Sequence, residues 1–139
     1  MYKKVLVALF ALGLTVGLLS VIADRASKDS TKTPEIVVYY PKPNAVVTSP
    51  LMVRGKAKGT WYFEGEFPLT LYYGVGDSFV TVNAFALGDW MTEDYVDFEV
   101  ILNFPVPQDN DGLLDLRKNN PSDLAEQNEN LLIPVRFHE

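Results

Sequence analysis

Between residues 35 and 137 short apolar runs alternate with clusters of Pro, Gly, Asn and Asp. Within those runs the apolar residues fall on every second position. Leu51, Val53, Gly55 and Ala57 share one parity, and Met52, Arg54 and Lys56 take the other. A period of two puts one set on the dry face of a strand and the other in water. The same reading gives strands over 35–40, 51–57, 67–73, 78–86, 96–104, 113–118 and 131–137. The cleanest alternation is Val96, Phe98, Val100, Leu102 and Phe104, with Ile101 the exception on the wet side. Pro68 has no amide hydrogen, so it is expected to open its strand or lie at an edge; Pro134 predicts an edge or bulge. Gly74-Val75-Gly76-Asp77 and Asp109-Asn110-Asp111-Gly112 read as hairpin turns, and 123–130 as a loop. No window keeps a helical period across this region. Seven short strands with turns about every ten residues indicate an all-β, immunoglobulin-like two-sheet sandwich.

The N-terminal pattern is different. Residues 5–23 are nineteen consecutive uncharged positions, preceded by Lys3 and Lys4. As a helix they are roughly 28 Å long, against a hydrocarbon core of ~30 Å. They predict a membrane anchor, or a signal peptide cleaved near Ala23, with the basic end inside the cytoplasm. Gly13 and Gly17 have the spacing that lets two such helices approach closely. Residues 24–34 are polar, lack aromatics and read as a flexible linker. The expected organisation is therefore 1–23 anchor or signal, 24–34 linker and 35–139 sandwich. It is a single-pass membrane protein with its domain outside the cytoplasm, or a secreted one.

Composition narrows the partners. All eighteen acidic residues follow Ala23, so residues 24–139 carry a net charge of −8. Such a surface repels a phosphate backbone, so nucleic acid is not an expected partner. With no cysteine in the chain, disulfides, thiolate zinc sites, cysteine nucleophiles and a lipidated cysteine anchor are excluded. His138 is the single histidine, close to the end of the sequence, where an imidazole is a poor general base. No nucleophile elbow, metalloprotease motif or phosphate loop occurs. Aligned on Gly112, a calcium loop would begin at Pro107 and end at Lys118, where carboxylate ligands are required, so the turn is a plain one. No catalytic residue, metal or cofactor is expected.

What remains is a recurring association of rings and acids. Trp61, Phe63, Glu64 and Glu66 stand in one loop region, and Asp89, Trp90 and Glu93 in another, with Tyr62 and Tyr95 beside them. Rings beside carboxylates suit the gripping of sugars or proteins, and rings at the ends of a sandwich also plug its core. The seven named residues form the candidate binding face. The expected partner is an envelope protein or a cell-wall glycan, with membrane contact through residues 5–23 and the oligomeric state left open. Alternatives are a spacer or assembly domain working through sheet edges or helix pairing, and a glycan hydrolase using the loop acids.

Five blocks occur in order: Ser49-Pro50-Leu51-Met52-Val53-Arg54-Gly55, Gly59-Thr60-Trp61-Tyr62-Phe63-Glu64-Gly65-Glu66-Phe67-Pro68-Leu69, Gly88-Asp89-Trp90-Met91-Thr92-Glu93, Asn120-Pro121-Ser122 and Ile133-Pro134-Val135-Arg136-Phe137. Together they resemble the immunoglobulin-like domain of bacterial spore germination proteins, the GerM-associated type. The resemblance implies an immunoglobulin-like sandwich in the cell envelope and a role as an interaction module. It supplies no catalytic residues.

Overall fold

The computed structural model describes residues 33–73 and 79–138. The helix expected over 5–23 and the turn expected at 74–77 lie outside them. Residues from Glu35 onward form one compact unit. Its strands are β1 (Ile36–Tyr40), β2 (Leu51–Lys58), β3 (Glu66–Tyr73), β4 (Phe79–Ala86), β5 (Tyr95–Leu102), β6 (Asp111–Arg117) and β7 (Asn130–Arg136). The period-two stretches of the sequence became these strands because each buries one parity. Leu51, Val53 and Ala57 are buried, while Met52 and Arg54 are exposed. Phe98 and Leu102 are buried, and Ile101 stands half exposed at 50%.

All the strand pairs are antiparallel, in the order β1-β2-β5-β4-β3-β6-β7. The expectation of two separate sheets needs a correction here: one ladder runs through the whole domain. β4 joins the layers. It pairs with β3 from Tyr72–Phe79 to Glu66–Phe85, and with β5 only at Phe85–Glu99 and Ala86–Phe98. An open edge leaves backbone groups unpaired, and a strand that crosses between layers covers part of two edges at once. At the other side residues 44–47 run along β7. Asn44 donates its amide hydrogen to Pro134 O (2.7 Å), Arg136 to Ala45 O (2.9 Å) and Val47 to Arg136 O (2.8 Å). The sheet is therefore nearly closed. Pro134 lies on this last strand of the ladder, and Pro68 precedes the point where β6 joins β3, at Leu69–Leu116. Pro134 stands where sequence reasoning put it, whereas Pro68 is the third residue of an interior strand, tolerated because β6 has not yet joined on its other side.

The layers meet on aromatic rings. Phe67 of β3 packs edge-on against Phe98 of β5 at 5.0 Å, and also against Tyr62 at 5.2 Å and Trp61 at 5.8 Å. Each such pair contributes about 0.5–1.5 kcal/mol beyond its buried area. At the far end Phe104 packs on Tyr73 and Phe137. β6 departs from alternation, with Leu114, Asp115 and Leu116 all buried. Asp115 points to the outer face, where Arg117 Nε donates to Oδ2 (2.7 Å) and Asn130 Nδ2 to Oδ1 (3.1 Å). A carboxylate so enclosed is tolerated because each oxygen accepts a hydrogen bond. The same hydrogen bond, with the charge of Asp115, raises the Arg117 guanidinium above its ordinary value.

Candidate functional site

Three connections gather at one end of the domain: 59–65 between β2 and β3, 87–94 between β4 and β5, and 118–129 between β6 and β7. Backbone bonds lock them together. Gly59 donates to Asp94 O (3.0 Å), Ala86 to Gly65 O (2.8 Å) and Asn119 to Trp61 O (3.0 Å). Asn119 Nδ2 also donates to Glu66 O (3.2 Å). The first connection opens with a 3₁₀ turn, Gly59–Trp61, and closes in a tight turn at residues 63–66. Its central residues, Glu64 and Gly65, both have positive φ, at 53° and 81°. That is the handedness of a type I′ hairpin turn, and Gly65 takes it without steric cost. In the second connection Asp89 Oδ1 accepts from Met91 N (3.0 Å) and Thr92 Oγ1 from Asp94 N (3.1 Å), so the tip is braced internally. Trp90 lies against the first turn, close enough that a Cβ on Gly65 would touch its ring at 3.4 Å.

The seven sequence candidates thus share one rim, but they do not share one role. Trp61 is 2% exposed and packs into the Phe67 cluster, so it supports the rim from below and presents no surface. That corrects its assignment to the binding face. The buried parity of β2 runs on through Gly59 to Trp61, so the indole points inward; its N–H finds no acceptor in the protein. Glu66 is half-buried on β3, with Oε1 accepting from Asn83 Nδ2 (3.0 Å). Trp90 is half-buried. Phe63, Glu64, Asp89 and Glu93 are exposed. Among the described residues no three acids come together to hold a metal ion, although the acidic loops do meet.

Sequence reasoning missed two residues. Leu87 is 65% exposed and Met91 76%, beside Phe63 at 41%. The available signal was an apolar residue inside a turn-rich, acidic loop, where burial is not expected. It also missed a polar cleft of about 410 Å³ behind the third connection, lined by Arg117, Lys118, Asp123, Asn128, Glu129 and Asn130. His138 is at the opposite end, its Nε2 3.2 Å from Pro107 O. There Asn110 Oδ1 accepts from His138 N (2.7 Å), so the Asp109–Gly112 region ties down the strand end.

Tyr62 anchors the rim to β5 by donating its hydroxyl hydrogen to Val96 O (2.8 Å). Burial, and secondarily the charge of Asp97, push its phenol well above its ordinary value. A group that resists ionising only when folded stabilises the fold below the unfolded pKa of about 10 and loses that contribution as pH rises beyond it. We expect wild-type stability to fall above that point more steeply than in Tyr62→Phe, by about 1.4 kcal/mol per pH unit for one proton. Urea unfolding between pH 8 and 11.5 reads the difference, and parallel profiles would remove Tyr62 as its source.

An immunoglobulin-like domain of bacterial spore germination matches residues 35–125, about two thirds of the chain. The chain belongs to that family. The match covers β1 to β6 and both acidic, aromatic loops of the rim. No curated protein sequence matches the chain.

Proposed function

We propose that this family member is a non-catalytic binding module held outside the bacterial cytoplasmic membrane, with the rim of loops 59–65 and 87–94 as its working surface. The observation that carries the reading is the exposure of Phe63, Leu87 and Met91 on two loops of one rim that backbone hydrogen bonds tie together and internal ones brace. Isolated exposed apolar residues are ordinary, but a group of large ones on rigid loops is what binding surfaces present. The uncharged run 5–23 behind Lys3 and Lys4 supports the membrane tether, with secretion after cleavage near Ala23 as the alternative. The partner is an envelope protein or a cell-wall glycan. Hydrolysis by the loop acids gains no support, because Glu64, Asp89 and Glu93 stand in water and catalysis needs fixed, shielded groups.

A second reading, assembly through a sheet edge, is favoured by one feature. Past Phe85–Glu99 the strands β4 and β5 share no further pair, and a groove opens there between Val82, Asn83, Phe85, Glu99, Val100 and Ile101. One experiment separates the two. The full chain, immobilised from detergent, is used to capture partners from envelope extract of the source bacterium. The triple variant Phe63→Ser, Leu87→Ser, Met91→Ser is expected to lose more than about tenfold in affinity for what the wild type captures. Unchanged capture by a folded triple variant defeats the rim. Loss only in Phe85→Lys or Ile101→Lys moves the function to the groove.

A further inference from the structure

We infer that the rim's partner is a protein segment bearing basic and apolar side chains, an inference that rests on the rim being the binding surface. Charge is the first argument. Residues 61–66 and 85–95 hold five carboxylates, Glu64, Glu66, Asp89, Glu93 and Asp94, and no Lys, Arg or His. The neighbouring cations each have a contact of their own. Lys56 and Lys58 lie over the Tyr95 ring at 4.4 and 4.2 Å. Lys118 pairs with Glu129 (3.2 Å) and Glu35 (3.6 Å), and Arg117 with Asp115. The five carboxylates outnumber the two ammonium groups beside Tyr95, so the rim keeps an acidic excess that draws a cationic partner.

The apolar chemistry is the second argument. A sugar ring stacks on a flat aromatic face. Here Trp90 is half-buried against Gly65, and Leu87 and Met91, at 65% and 76%, are more exposed than Phe63 at 41%. Flexible aliphatic and thioether groups suit the side chains of a peptide. An anionic bilayer meets the same repulsion as any other anion.

The third argument is where the chain enters. The carbonyl of Glu35 accepts from Lys58 N (2.8 Å), next to Gly59 and its bond to Asp94. β1 therefore begins at this same rim. The chain's own residues 24–32 carry three cations, Arg25, Lys28 and Lys32, but no large apolar side chain, so they match the charge and not the patch.

The test uses the full chain, nitrogen-15 labelled, in phosphatidylcholine nanodiscs. Probes are a capped Lys-Leu-Lys-Leu-Lys peptide, its Glu-Leu-Glu-Leu-Glu counterpart, an N-acetylglucosamine tetramer and phosphatidylglycerol vesicles. The basic peptide is expected to shift the Gly65 and Gly88 amides and the Trp90 indole saturably, and the acidic peptide to leave them unmoved. In the triple variant Glu64→Gln, Asp89→Asn, Glu93→Gln the affinity for the basic peptide should fall about tenfold, and salt should weaken the wild type towards that level. If the sugar or the anionic vesicles move these signals and the basic peptide does not, the partner class is wrong while the rim stands. Equal binding by the charge variant overturns the electrostatic basis. If no probe moves the rim, the inference and the surface assignment fall together.

Discussion

Replacing Gly59 by alanine is expected to cost about 3 kcal/mol or more, the upper end of overpacking penalties, while Gly88→Ala changes stability by less than about 0.5 kcal/mol. The two substitutions add the same methyl group, 29 positions apart, in connections at the same rim. At Gly59 the new carbon collides with the backbone oxygens of Trp90 and Thr92. Neither obstacle is the flexible end of a side chain, so the loop itself has to move. Moving it breaks the Gly59–Asp94 hydrogen bond and disturbs the Thr92–Trp90 bond, which is 2.8 Å long. At Gly88 the nearest neighbour is a Val96 methyl at 3.9 Å, an ordinary contact. A domain of this size has about 5–15 kcal/mol in total, so the first change removes a large share. Thermal unfolding by circular dichroism should show Gly59→Ala melting roughly 12–24 °C lower, at about 4–8 °C per kcal/mol. Equal melting temperatures for the two variants would mean that the loops are not held together at Gly59. Binding should weaken with stability in Gly59→Ala, because the same contact keeps loop 87–94 over the 63–66 turn.

The strands were legible because burial of one parity is a local property. Leu51, Val53 and Ala57 are dry and Met52 and Arg54 wet, as their spacing requires. Ile101 breaks the pattern and remains half exposed at the mouth of the β4–β5 groove. The crossing of β4 was not legible, because its two-residue pairing with β5 depends on register between strands far apart in the chain. Nor was the burial of Asp115. Alternation alone puts that residue in water, and only the fold brings Asn130 from β7 over its outer face. The rim was half legible. The sequence indicated two acidic, aromatic loops, and the backbone bonds at Gly59 and Ala86 bring them together. The parity of β2 continues to Trp61 and puts it inside, but Tyr62 is buried as well, so alternation does not sort the rings of this loop. The exposure of Leu87 and Met91 was hidden because apolar residues in a loop carry no period to interpret.

The division of the rim into support and surface predicts opposite outcomes for two aromatic residues only two positions apart. Trp61→Ala is expected to lose about 3–5 kcal/mol, as buried large-to-small aromatic changes do, and Phe63→Ala less than about 0.5 kcal/mol. Trp61 touches Phe67, which in turn holds Tyr62 and Phe98, so the cavity opens where the layers meet. Trp61→Phe provides the sharper comparison. It keeps a ring against Phe67 and removes the buried indole N–H that has no acceptor, so part of the lost packing is offset by a polar group no longer buried. Its cost should be well under half that of Trp61→Ala. In binding the order reverses: Phe63→Ala should weaken capture while leaving the melting temperature unchanged, and Trp61→Phe should bind as the wild type does. If instead Trp61→Phe binds poorly at full stability, the indole takes part in recognition, and the assignment of Trp61 to the core has to be given up.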